Sequence, residues 1–360
     1  MNDLCEQYYD ILEETHNIPM KHNEDNDLLY MTNTKLYNHI HDFIINNNIK
    51  RLIVSLSGGV DSMVMLEILL YIQQHTIHDL YFVCCHLNYN NRLESIKERD
   101  FLNIYCQLKN VPFCFRNLNY KRRHYTKRAV YEKMTRDFRY TYYRELCDEN
   151  NSSGVFLAHH KDDICENIFN NIMRGGHEIT DLVVIKEKNV IMDVNVYRPM
   201  LPVYKNHVYD IAHTLNIPYF LDTTPDWSCR GKMRRNIFPQ CDDCYTNTYK
   251  DAMLKLGRDS EDINNILHKY LLNDYIASIN IIEKSFVLPN KPIICETYMM
   301  KLILKHICHS INIPVMKSSN VTLLTKYIAQ SHVGKIKVSL LKHYTITVSE
   351  MDVCFDYNSS

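Results

Sequence analysis

Six residues, Ser57-Gly58-Gly59-Val60-Asp61-Ser62, hold more potential chemistry than any other stretch of this chain. They follow an apolar run, Leu52-Ile53-Val54-Ser55-Leu56, and open an apolar segment from Met63 to Ile72. That order predicts a buried strand, a glycine turn and a helix. Two glycines let the backbone turn tightly and bring successive N–H groups close to an anion. The helix start adds unpaired donors and partial positive charge, so phosphate is the natural guest. Ser57 and Ser62 can donate hydroxyls to it, and Asp61 can cap the helix or help hold magnesium. A plain glycine turn capped by Asp or Ser would use the same residues. No Lys follows the glycines, which excludes the lysine-ended phosphate loop of the usual NTPases.

A second constellation is His159-His160-Lys161-Asp162-Asp163 with Glu166, placed where a strand gives way to a helix. On that helix Asp163, Glu166, Asn170 and Arg174 share a polar face opposite Ile164, Ile168 and Ile172. Two carboxylates and a His at the end of a strand suit metal binding or proton transfer. A solvated first turn would carry the same acids for the sake of the helix dipole. His86-Leu87-Asn88 ends another strand and would border a nucleotide, unless His86 is simply a surface residue. Arg136 and Arg139 share a helix face with Glu132 and Tyr143, a pattern that solvent exposure also explains. Arg122 and Arg123, in a basic run interleaved with Tyr120 and Tyr125, could contact RNA phosphates. Arg230, Lys232, Arg234 and Arg235 form a further basic cluster. Cys241 and Cys244 have metal-ligand spacing, but a zinc site needs two further ligands and no matching second pair follows, so coincidence is the better reading of the spacing.

These residues need a scaffold, and the apolar pattern supplies one. Strand-like segments at Leu80 to Cys85, Pro112 to Phe115, Val155 to Ala158 and Pro218 to Leu221 alternate with helical ones. The helices expected are Glu94 to Lys109, Ala129 to Cys147, His160 to Arg174 and Lys205 to Leu215. In the second of these, Val130, Met134, Phe138, Tyr142 and Leu146 form one apolar stripe. Such alternation predicts an α/β fold with a doubly wound parallel sheet and ligands at the strands' C-terminal ends. Residues 1–30 read as a polar extension, 31–244 as the catalytic domain and 245–290 as a helical connector, with 287–290 a linker. A small α+β domain is expected over 291–360.

The 360 residues carry a formal net charge of −1, so nucleic-acid binding would have to come from local patches. Thirteen cysteines without a signal-like start point to reduced thiols. No apolar stretch approaches a membrane span. A cytoplasmic protein is the expectation.

SGGVDS resembles the signature of the PP-loop ATP pyrophosphatases. With HLNYNNR, ESIKERDF, YEKMTRDFRY, LAHHKDDICE, RGG, RPM and DTTPDWSCRGKMRRN in that order, residues 50 to 240 resemble the tRNA(Ile)-lysidine synthetases. The resemblance implies ATP and Mg2+ as cofactors, and tRNA and free L-lysine as substrates, in a monomer or homodimer. It implies adenylation of O2 of the wobble cytidine in a CAU-anticodon tRNA, followed by attack of the lysine ε-amine on C2. Ser57, Gly58, Gly59, Val60, Asp61 and Ser62 would hold the phosphates, with His86 beside the nucleotide and Asp61 near magnesium. Arg139, His160, Asp163 and Glu166 would join Asp61 at the reaction centre. Arg234, Arg235 and Asn236 would contact tRNA, and the C-terminal domain resembles the family's tRNA-binding module. Tyr89-Asn90 stands where the family has His-Gly, Ile179 to Val184 replaces a glycine-containing loop, and Pro225 replaces an Asn. Two rival readings remain: a PP-loop tRNA 2-thiolation enzyme, kept open by Cys165, Cys241 and Cys244, and a tRNA-binding protein that has lost its ATPase.

Overall fold

The computed structural model describes residues 24–89, 94–118, 128–175, 178–221, 224, 228–289, 292–330, 336–341, 344–349 and 351–357. The chain divides into two compact units, one ending at Ser260 and the next beginning at Glu261.

The first unit is built on β1 (Arg51–Leu56), β2 (Tyr81–Asn88), β3 (Phe113–Asn117), β4 (Val155–Phe156), β5 (Lys188–Ile191) and β6 (Val194–Tyr197). They form one sheet in the order β3-β2-β1-β4-β6-β5. Every pairing from β3 to β6 is parallel, and only β5 runs antiparallel, against β6. Pro218 to Leu221, expected as a strand, contributes one isolated bridge, Gly59 to Phe220.

Side chains alternate along these strands and feed two separate cores. Leu52, Val54, Leu56, Phe82 and Cys84 enter the larger one, against α1 (Lys35–Asn46), α2 (Val60–His75), α3 (Glu94–Leu108) and α4 (Lys205–Thr214). Ile53, Val83, Cys85 and Leu87 point the other way and pack on Tyr140, Tyr143 and Leu146 of α5 (Arg128–Asn150). The apolar stripe expected on α5 is only half buried. Tyr142 and Leu146 are inside, but Val130 is 55% exposed, and Tyr140 and Tyr143 do the packing instead. α2 is apolar on every side because it is enclosed on every side. A Thr34 cap that accepts a hydrogen bond from the Tyr37 N–H starts α1.

The second unit carries a five-stranded antiparallel sheet. Its strands are β7 (Asn280–Ile282), β8 (Ser285–Pro289), β9 (Ile336–Leu341), β10 (Tyr344–Val348) and β11 (Asp352–Tyr357), ordered β7-β8-β11-β10-β9. Residues 287–289, read from sequence as linker, are therefore strand. Phe286 and Phe355 stack at 4.6 Å in a core shared with α6 (Thr297–Ser310) and α7 (Ser318–Gln330). No helix among the described residues is long and apolar enough to cross a membrane.

Gly154 leads into β4 where the backbone of β6 leaves no room. A Cβ there would lie 2.4 Å from the Asn195 carbonyl oxygen and 2.7 Å from the Tyr197 ring. Gly154→Ala should therefore destabilise the first unit by about 2 kcal/mol through forced backbone displacement, read as a lowered urea midpoint.

Candidate functional site

The glycine loop sits between β1 and α2, at the C-terminal edge of the sheet. Gly58 adopts φ +82, a conformation that suits glycine. Its carbonyl accepts the Phe220 N–H at 3.0 Å, so the segment after α4 braces the turn. The Ser62 hydroxyl donates to the Gly59 carbonyl at 2.9 Å and accepts the Ser57 N–H at 3.1 Å. The Gly59 N–H in turn reaches the Ser57 hydroxyl at 3.3 Å. The loop is thus folded into its cradle by its own side chains, and Gly59 caps α2 without a side-chain bond.

Beside the loop lies a cavity of 580 Å³, within the range of about 300–1,000 Å³ typical of small-molecule sites. Ser57, Gly59, Val60, Asp61 and Ser62 form one wall, while Phe220 and Leu221 form another. His86 lines it from β2; the ring is buried and its Nδ1 lies 2.9 Å from the Leu56 carbonyl. Arg139 enters from α5, and its Nε donates to the Tyr89 hydroxyl at 2.8 Å. Tyr89 thereby holds Arg139 and lies below its guanidinium at 5.7 Å.

The HHKDD segment splits its two histidines. His159 lines the cavity, and burial pushes its pKa down to about 4, so the ring is neutral near pH 7. His160 is 1% exposed and lies behind the cavity wall, at the start of α8 (Lys161–Arg174). Its Nε2 stands 3.5 Å from both Asp61 Oδ1 and Asp163 Oδ2, and its Nδ1 stands 3.4 Å from Asp162 Oδ2. Burial disfavours its charge, but Asp162, Asp163 and Asp61 outweigh that and raise its pKa. The His160 N–H also donates to Asp163 Oδ2 at 3.0 Å, closing a capping box.

The first half of α8 is buried on both faces, Ile168 on the apolar one and Asp163 and Glu166 on the polar one. Asp163 and Glu166 are 5% and 4% exposed, whereas Ile172, expected on the apolar face, is 43% exposed. Burying two carboxylates needs partners, and Arg230 and Arg234 supply them. Arg230 Nη2 lies 3.2 Å from Asp163 Oδ1, and its Nε lies 2.6 Å from Glu166 Oε2. Arg234 donates to Glu166 Oε1, to Glu166 Oε2 at 3.2 Å and to Asp163 Oδ1 at 3.3 Å. Arg234 lies in a π-helical turn, Met233–Ile237, that continues the short helix Cys229–Lys232.

The expected site residues thus fall into groups. Ser57, Gly59, Val60, Asp61, Ser62, His86, Arg139 and Asp163 share the cavity wall, while Gly58 shapes the loop behind it. Glu166 and His160 sit just behind it, beside a smaller cavity. Arg234 faces inward onto carboxylates, Arg235 donates to the Thr224 carbonyl at 2.7 Å, and Asn236 is exposed. Arg122 and Arg123 lie outside the described residues. Sequence reading named His159 and Arg230 only as members of their clusters, without a site role, and passed over Lys205. The doubled His was a signal for the first and the basic cluster for the second.

The cavity suits a triphosphate nucleotide: loop N–H groups and hydroxyls on one side, aromatic and aliphatic walls on another. Among the described residues no group of three His, Cys, Asp or Glu could hold a metal ion. Asp61 Oδ1 is buried without a hydrogen bond. One carboxylate with an open oxygen fits magnesium that arrives with phosphate, the ion's usual mode, and does not fit a resident metal.

Asp163 gives this electrostatic arrangement a measurable signature. Burial opposes its ionisation, but His160 and Arg230 hold its pKa down to about 2. Its stabilising effect is complete above the unfolded carboxyl pKa of about 4 and is lost as pH falls through 2. Urea unfolding of the wild type should lose about 2 kcal/mol over that window from this residue, and Asp163→Asn should flatten that part of the profile.

The PP-loop domain family model (ATP_bind_3) matches residues 32–241. A tRNA(Ile)-lysidine synthase of Chlamydia caviae is 28% identical over 217 residues, covering 60% of this chain and 65% of that protein. One from Chlamydia abortus is 26% identical over 271 residues, covering 74% and 82%. The chain therefore spans about two thirds of the first of these relatives and more of the second. A U34-tRNA thiolase from Methanococcus maripaludis superposes with a TM-score of 0.52 at 14% identity, covering 64% of this chain and 78% of that one, which speaks to the fold alone. With more than half of its residues matched by the family model and a mixed sheet that carries the glycine loop between β1 and α2, the chain belongs to the ATP-binding PP-loop domain family.

Proposed function

We propose that this protein is a tRNA-modifying ligase that adenylates O2 of a wobble cytidine in a CAU-anticodon isoleucine tRNA and joins lysine to C2. The observation that carries this reading is the convergence on one cavity of a phosphate loop, a neutral His159 and ionised Asp163, with Glu166 directly behind. The curated relatives named tRNA(Ile)-lysidine synthase support the same substrate class.

Each residue group has a role in this scheme. The Ser57–Ser62 loop and the start of α2 bind the triphosphate through N–H donors. Arg139, fixed by Tyr89, offers its charge to the α-phosphate as negative charge builds there. Magnesium, held by Asp61 together with phosphate oxygens, would supply further charge neutralisation. The cytidine must leave the anticodon stack to enter the cavity.

The amine step calls on Asp163 and Glu166. An incoming lysine ammonium competes with arginine for these carboxylates. Arg230, whose side chain is 43% exposed, is the partner placed to yield, while Arg234 at 22% stays. Once the ammonium has given up a proton to the cavity's carboxylates or to water, its nitrogen bonds to C2, the C2–O2 bond breaks and AMP leaves with that oxygen, while His159, neutral near pH 7, lies on the same cavity to take the second proton. Sulfur transfer finds less support. The Cys165 thiol is pushed up to about 12, chiefly by burial and then by Asp162, which keeps it protonated.

Mass spectrometry of a CAU-anticodon tRNA incubated with protein, ATP, magnesium and labelled lysine tests the reading. The expected result is one lysine added to the wobble cytidine, with Asp163→Ala lowering the rate by about 100-fold or more. AMP release without lysine incorporation would point to another nucleophile. Absence of AMP with cognate tRNA present would overturn the ligase assignment.

A further inference from the structure

The glycine loop contains no Lys or Arg, yet a triphosphate must be neutralised where its leaving group departs. The fold brings a cation to this place from elsewhere. Lys205 opens α4, the helix that follows β6. Its backbone N–H donates to Asp162 Oδ2 at 2.8 Å, which fixes the start of the helix against the HHKDD segment. Its side chain is 22% exposed, passes Tyr209 at 5.6 Å and ends with Nζ 3.2 Å from Asp61 Oδ2. It lines the loop cavity together with Ser57, Gly59 and Ser62. The other described cations at this cavity engage different partners: Arg139 the Tyr89 hydroxyl, and Arg230 and Arg234 the carboxylates of Asp163 and Glu166.

We propose that Lys205 is the loop's missing cation and that its ammonium binds the β- and γ-phosphates and the pyrophosphate they become; this rests on the adenylation reading above. An ammonium has three donors, so one can remain near Asp61 while the others turn to phosphate oxygens. In the step itself the cytidine O2 forms a bond to the α-phosphorus, and the bond from that phosphorus to the bridging oxygen breaks. The electron pair stays on the bridging oxygen, and pyrophosphate leaves with one more negative charge. Lys205 keeps its proton throughout and stabilises that charge through hydrogen bonds.

The test compares wild type, Lys205→Met and Lys205→Arg as full chains. Calorimetry measures affinity for AMP and for the α,β-methylene analogue of ATP, and AMP release with tRNA gives the rate. Lys205→Met should bind AMP within about twofold of wild type, lose about tenfold or more for the ATP analogue, and slow AMP release by about 100-fold. Lys205→Arg should recover most of both losses. If Lys205→Met melts out, Lys205→Gln, which retains a donor for Asp61 without the charge, takes its place. An unchanged preference for the ATP analogue over AMP in the neutral variant would overturn the inference, as would Lys205→Arg as impaired as Lys205→Met. A wild type with no preference between the two nucleotides would sink the adenylation reading itself.

Discussion

Three carboxylates, from Asp61, Asp162 and Asp163, converge on one buried imidazole, and the rest of the site is arranged around that convergence. A lone buried carboxylate is costly, and three near each other would repel strongly. His160 at their centre, with Lys205 and Lys250 at the outer edge, turns repulsion into a connected ion network. The network links the phosphate loop on β1–α2 to the start of α8, to α4 and to the helix Thr248–Leu267. Geometry at the loop and geometry at the start of α8 are therefore set by the same contacts.

Much of this was legible in the chain, for identifiable reasons. The phosphate loop announces itself because glycines after a buried strand do something backbone-specific that few other patterns require. The β-α alternation announces the sheet because parallel strands buried on both faces are continuously apolar. The β5–β6 hairpin was not legible: its strands are short, and its turn residues Met192 and Asp193 adopt positive φ without a glycine to mark them. The polar face of α8 was seen, but its burial was not. Helical spacing says which residues share a face, while whether that face is inside depends on partners such as Arg230 and Arg234, some seventy positions away. The same limit explains why His160 was taken for the cavity residue and His159 was not. Adjacent residues at a strand-to-helix junction point in different directions, and only the packed fold decides which one meets the ligand.

Tyr89 engages one cation of the cavity in two ways. Its hydroxyl and its ring both engage Arg139, which tethers that cation in the cavity. Arg230 and Arg234 provide an example of mutual support: each carboxylate they neutralise also holds them in place, and the π-helical turn at Met233–Ile237 orients Arg234 for the task. Such turns are rare and are found frequently at functional sites.

The brace on the loop has a consequence for how the protein is made. The carbonyl of Gly58 is held by the N–H of Phe220, and Asp61 by Lys205, a partner 144 positions later in the chain. A ribosome delivers residues in order, so β1 and the glycine turn emerge long before either partner exists. The cradle cannot be completed until the segment through Phe220 has been synthesised. Nucleotide in the cell can thus stabilise only a nearly finished first unit, whose larger apolar core also waits for Val208, Ile211 and Phe220.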